Sequence, residues 1–257
     1  MKTLLTSLMV LLFASICLYS QSVGINEDGS APNEKAILEL KSETKGFLPP
    51  RMDIIKIFQI ANPPEGLIVY NTTYKFPMFF NGTNWCKYDG TIVTLSVGSI
   101  CGGGRIAYIL QPGDAGYDPN KTHGIIAADT SYWANNKWGC DGTLIPGAID
   151  SVIGTGMQNT IDIVNGCATV GTAAWSCYNF SFDGYEDWFL PSNLEMLQII
   201  QNKNIIYPIN QNDYLDEFYW TSKQYDSGRA YVVSRYRDNV TFDKSSSIMA
   251  VKPCRYF

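Results

Sequence analysis

The sequence predicts an α+β protein: antiparallel strands with two or three short helices to one side, behind a small β-rich N-terminal module. Three observations predict it. The 257 residues are 46% hydrophobic, 17% charged and 13% aromatic, with 16 Tyr, 6 Trp and 22 Gly. That balance suits strands joined by many turns and excludes a disordered chain. Apolar runs of strand length recur along the chain, bounded by Gly, Pro and Asn. One helix start is spelled out in full, at Ser192-Asn193-Leu194-Glu195.

The elements follow in order. Lys2, an almost unbroken apolar stretch over residues 4–18 and a cleavage point at Ser20-Gln21 describe a secretory signal peptide at 1–20, hence an exported protein. The stretch is shorter than the roughly 20 residues a span needs, so the mature chain is expected to carry no transmembrane span. Cys17 follows Ala14-Ser15-Ile16, and the bulky Ile argues against lipid attachment. Residues 21–98 form the first module. Lys45-Gly46-Phe47-Leu48-Pro49-Pro50 stops any helix, because a residue before proline is pushed to extended geometry. Gly66-Leu67-Ile68-Val69-Tyr70 and the following Asn71-Thr72-Thr73 open a β-hairpin, and Asn81-Gly82 turns into a Trp85-bearing strand. So short a module holds too little apolar content for a core of its own and needs self-association or docking.

Residues 99–257 have the size of one domain. Gly102-Gly103-Gly104 leads into a strand at 105–110, and 124–128 is a second. Residues 159–164 and 169–178 read as short helices. Asp187-Trp188-Phe189-Leu190 is a short strand broken by Pro191, after which the Ser192–Glu195 capping box opens a helix to about Lys203, with Leu194, Leu197 and Ile200 or Gln201 as its apolar stripe. Late strands follow at 219–222, 230–233 and 251–257; Pro253 places the last at an edge or a bulge.

Six cysteines remain after Cys17: Cys86, Cys101, Cys140, Cys167, Cys177 and Cys254. An even number in an exported chain favours disulfides, and the absence of CxxC pairs argues against zinc. Fifteen pairings exist; one bridge within Cys140, Cys167 and Cys177, and another from Cys101 to Cys254, is the preferred set, against the reading that some are buried thiols.

Several of these segments together are familiar. Gly102-Gly103-Gly104-Arg105-Ile106-Ala107-Tyr108, His123-Gly124-Ile125-Ile126-Ala127-Ala128, Gly154-Thr155-Gly156-Met157-Gln158-Asn159-Thr160, Asp187 to Ser192, Tyr219-Trp220-Thr221-Ser222 and Val251-Lys252-Pro253-Cys254-Arg255 resemble, in order, the C-terminal domain family of the Legionella collagen-like adhesin, a family of unknown function. The resemblance covers 99–257 and implies a C-type-lectin-like shape on a secreted or surface protein, with trimeric adhesins of sulfated polysaccharides among its members. Pro253 and Cys254 depart from the family's usual ending. Likewise Val23-Gly24-Ile25, Lys45 to Met52 and Gly66 to Thr72 resemble a leader module of exported bacterial proteins and are similar to trimer-forming segments of tail fibres. That likeness implies extracellular placement and a possible homotrimer.

Charge tests the inherited ligand. Residues 22–100, 101–225 and 226–257 carry net −1, −8 and +3. An acidic protein repels sulfated glycans and nucleic acid at long range, so neither is carried over. Arg229, Arg235, Arg237, Lys244, Lys252 and Arg255 form either a local anion patch or ordinary solvated strand faces. A neutral glycan or other surface macromolecule remains the candidate partner. A sugar site needs an aromatic face and nearby polar groups, which singles out Asp187, Trp188, Trp220 and Tyr225, with Arg237 from the basic cluster; a core role for both tryptophans competes with this. No cofactor is expected, although Asp183, Glu186 and Asp187 could hold calcium, short of a recognisable ligand loop.

Enzyme readings find less support. Gly102-Gly103-Gly104 precedes a strand, whereas a dinucleotide fingerprint follows one, and Gly154-Thr155-Gly156 lacks the lysine of a phosphate loop. His123, the only histidine, has no nucleophile beside it in sequence. No spacing singles out a carboxylate pair. Cys177 and Cys254 match a lectin-shaped sulfatase-modifying oxidase by residue type alone. The sequons at Asn71, Asn81, Asn120, Asn179 and Asn239 read as turn residues. The expected protein is therefore an exported, non-enzymatic adhesion or ligand-binding protein, with a structural fibre or envelope component as the alternative and a secreted carbohydrate-active enzyme third.

Overall fold

The computed structural model describes residues 22–129, 134–207 and 218–257; the expected signal peptide lies outside them. The chain is an α+β protein that divides into two compact units, Met1–Pro49 and Pro50–Phe257. In the first, β1 (Val23–Asn26) and β2 (Leu38–Lys41) pair in parallel, with Val23 beside Leu38 and Ile25 beside Leu40.

The second unit begins with β3 (Arg51–Met52), α1 (Ile54–Phe58), β4 (Ile68–Asn71), β5 (Phe76–Phe80) and β6 (Trp85–Lys87), whose strands form a sheet in that order. Asp53 caps α1, its Oδ1 accepting the Lys56 N–H at 2.9 Å. The hairpin and Asn-Gly turn read from sequence are present. Asn71 Oδ1 accepts the N–H groups of Thr73 and Tyr74 in the first turn. Asn81 Oδ1 accepts those of Thr83 and Asn84 in the second, where Gly82 has φ +89°, a conformation that costs glycine no Cβ clash.

Next come β7 (Ile100–Cys101), β8 (Gly104–Ile109), β9 (Gly124–Ala128), β10 (Ala134–Asn136), α2 (Gly156–Gly166), α3 (Ala173–Tyr178), α4 (Asn193–Gln201) and α5 (Lys203–Ile206). The chain closes with β11 (Tyr219–Gln224), β12 (Arg229–Val233), β13 (Val240–Asp243), β14 (Met249–Val251) and β15 (Cys254–Tyr256). One sheet runs β15-β9-β8-β7 and another β10-β14-β11-β12-β13. Gly104 is obligatory: a Cβ there would collide with the Ala127 carbonyl on the paired strand.

Several expectations are corrected. Residues 187–190 are not a strand; Phe189 makes one isolated bridge to Cys254. The C-terminal run is two strands, because Lys252-Pro253 leaves the five-stranded sheet and β15 joins the edge of the other, where a residue lacking a donor is tolerated. The helix expected over 169–178 starts at Ala173, since Gly171 sits at φ +77° and Thr172 is extended. The capping box is present, but the buried face of α4 is Asn193, Glu195, Met196, Ile199 and Ile200. Leu194 therefore points to solvent, one residue out of the expected stripe.

Cys140 and Cys167 form a disulfide closing a separation of 27 residues. Cys86, Cys101, Cys177 and Cys254 are free and buried. The expected Cys101–Cys254 bridge is thus absent. Its partners occupy β7 and β15, the opposite edges of one four-stranded sheet, about 14 Å apart at the usual strand spacing and beyond the roughly 7 Å a bridge tolerates between Cα atoms.

Residues 50–98 do not stand alone. Ile54, Ile57, Val69, Met78 and Trp85 pack in one buried cluster with Ile106, Ile126, Ala128 and Trp188. The thin apolar content of this stretch is completed by the strands that follow it.

Candidate functional site

Among the described residues of the first unit, none is buried. Parallel register puts Val23, Ile25, Leu38 and Leu40 on one face of the ribbon, and they are 50%, 61%, 53% and 46% exposed. The other face carries Gly24, Asn26, Glu39 and Lys41, and the crossover between the strands folds over it. Pro32 Cδ lies 3.3 Å from where a Cβ on Gly24 would sit. Lys41 Nζ pairs with Asp28 Oδ2 at 2.5 Å, and Glu39 Oε2 accepts the Asn33 N–H at 2.7 Å. The Lys41 ammonium beside Asp28 holds that carboxyl well below the usual range. Lys45 pairs with Glu27. The ribbon thus satisfies its own charges and leaves four aliphatic side chains facing water, and an isolated two-stranded ribbon is marginal at best.

The ligand residues expected from sequence scatter over the second unit. Trp188 and Trp220 are core side chains, 2% and 0% exposed. Their indole N–H groups donate to the Tyr185 and Asn136 carbonyls at 3.1 and 2.9 Å. Neither offers a ring face to a sugar, so the stacking role considered for them is lost. Asp187 faces a groove of about 440 Å³, also lined by Met157, Ile161, Tyr178, Phe180 and Glu186. Both its oxygens are engaged by Arg255, Nε to Oδ1 at 2.7 Å and Nη2 to Oδ2 at 2.8 Å. No group of three or more His, Cys, Asp or Glu side chains able to hold a metal gathers among the described residues. Tyr225 is exposed at the end of β11 with the Arg229 guanidinium 4.5 Å over its ring. Arg237 is exposed in the turn joining β12 to β13, its N–H bonded to Ser234 Oγ. His123 Nε2 accepts the Asp118 N–H at 3.1 Å and closes a loop.

Two features escaped sequence reasoning. Arg255 grips Asp187 across 68 residues, a pairing with no local signal. The bare ribbon face did have one: the alternations Val23-x-Ile25 and Leu38-x-Leu40.

Residues 24–99 match a family described as a phage tail like trimerisation region. A search of curated proteins found no match for the chain. The trimerisation region takes in both the β1–β2 ribbon and the β3–β6 sheet, and agrees with the resemblance of the leader to trimer-forming fibre segments. The match fits an oligomerising module of the fibre type over residues 24–99.

Proposed function

We propose that this protein is a structural component of an exported fibre or envelope assembly that acts through homotrimerisation of residues 24–99. The observation that carries this reading is that the trimerisation match takes in the β1–β2 ribbon, in whose unit no described residue is buried. Sedimentation or native mass spectrometry of the purified protein tests it: a trimer is expected, and a monomer at all accessible concentrations would overturn it.

A second reading is favoured by the mixed groove beside Asp187, where ring edges and a carboxylate meet. In it the portion resembling the collagen-like adhesin's C-terminal domain, with a lectin-like shape, holds a neutral glycan while the trimer supplies avidity. Retention on a glycan array supports it, and none leaves the structural role. Both readings are non-catalytic. In their support, burial pushes the Cys101 thiol up to about 12 and raises Cys177 and Cys254 also, keeping these sulfurs protonated and inert.

A further inference from the structure

The trimerisation match spans two structurally different pieces, and their burial distinguishes them. In the β3–β6 sheet and α1 the inward apolar side chains are already used: Ile54, Ile57, Val69 and Met78 are at most 1% exposed, inside a cluster completed by later strands, and the apolar side chains left open near it, Ile68, Tyr88 and Ile92, are 39%, 60% and 52% exposed. In the β1–β2 ribbon the apolar side chains are bare. We infer that the seam between copies is the Val23, Ile25, Leu38 and Leu40 face, and that its occupant is the same face of two further copies of this chain. The inference rests on the trimeric reading above and says where in the matched region the contact lies.

Three observations fit identical copies to this face. The crossover covers the opposite face, so only one side of the ribbon is open. The open side carries no charged side chain: its residues, Val23, Ile25, Leu38 and Leu40, are all aliphatic, while Lys41 pairs with Asp28 and Lys45 with Glu27 away from it. The two strands are parallel and level, Val23 with Leu38 and Ile25 with Leu40. A threefold axis along the strands therefore stacks two flat layers, each built from two aliphatic side chains per copy, a closed symmetric arrangement.

The test compares the purified protein with the double variant Ile25→Asp, Leu40→Asp by sedimentation, while thermal unfolding followed by tryptophan fluorescence monitors the second unit. The expected result is a trimeric parent and a monomeric variant with an unchanged unfolding midpoint. Should the variant aggregate, Ile25→Thr with Leu40→Thr keeps strand propensity and is expected to raise the concentration for half-dissociation roughly a hundredfold. Ile92→Asp, on an exposed position of the other piece, is expected to leave the mass unchanged. A trimeric parent whose ribbon variants remain trimeric, or which dissociates with Ile92→Asp instead, overturns the seam and leaves the trimer. A monomeric parent overturns both.

Discussion

Glu195 is fully buried and does more than complete a capping box. Its Oε2 accepts the Ser192 N–H at 2.7 Å, while Oε1 takes the Gly154 N–H at 2.8 Å and the Tyr256 hydroxyl. One carboxylate thus ties the start of α4 to the 152–156 turn and to β15. Burial pushes its pKa up, and the cost of that desolvation is offset by three donors. Glu195→Ala would strand those donors in the core, so a loss of about 3 kcal/mol or more is expected from a capping term and unsatisfied buried groups. Urea unfolding checks it; a midpoint near that of the parent would refute the role. Lys252 is the matching cation, 1% exposed, with Nζ 3.0 Å from the Asp129 carbonyl and 4.7 Å from the Tyr207 ring centroid. Burial lowers it from 10.5 to about 7. Below pH 7 the folded and unfolded chains both hold the proton. Between pH 7 and 10.5 the unfolded chain binds a proton that the folded chain has lost, so stability should rise with pH, by at most about 1.4 kcal/mol per unit. Lys252→Met should flatten that rise between pH 7 and 9; equal slopes in both proteins would exclude it.

At the scale of elements, the Cys140–Cys167 bridge ties the stretch after β10 to the C-terminus of α2. Loop closure over its 27-residue separation is worth about 3.5 kcal/mol in the chain-entropy account. Cys140→Ser with Cys167→Ser should lose about 3 kcal/mol in denaturant titration, and alkylation of the unreduced, denatured parent should label Cys86, Cys101, Cys177 and Cys254 but neither Cys140 nor Cys167. Local signals were legible where the physics is local. The hairpin at β4–β5, the Asn81-Gly82 turn and the Ser192–Glu195 cap each depend on atoms within a few residues, and each stands where the sequence places it. What was not legible depends on pairing. The two halves of the C-terminal run go to different sheets because β9 and β11 offer partners on either side of Pro253. The Cys101–Cys254 distance is a property of strand order, and the burial of Trp188 follows from the strands and helix it packs among. Asp187 was named from sequence as a ligand candidate, whereas its fixation by Arg255 required the fold.

For the whole molecule, the question is where the independently folding part begins. The buried cluster that holds Ile54, Ile57, Val69, Met78 and Trp85 also contains Ile106, Ile126 and Trp188. A chain cut before residue 99 would expose those last three, each worth about 1.5–3 kcal/mol of burial. Their sum is comparable to the roughly 5–15 kcal/mol that keeps an ordinary domain folded. A chain cut before residue 50 keeps every residue of that cluster. Residues 50–257 are therefore expected to unfold cooperatively at a midpoint close to that of the parent measured at the same dilution. Residues 99–257 are expected to lose dispersed amide signals and to be digested rapidly under mild proteolysis. A protease-resistant 99–257 fragment with native-like dispersion would mean that the shared cluster contributes little, and that the β3–β6 sheet is an attachment to the second unit and not a part of its core.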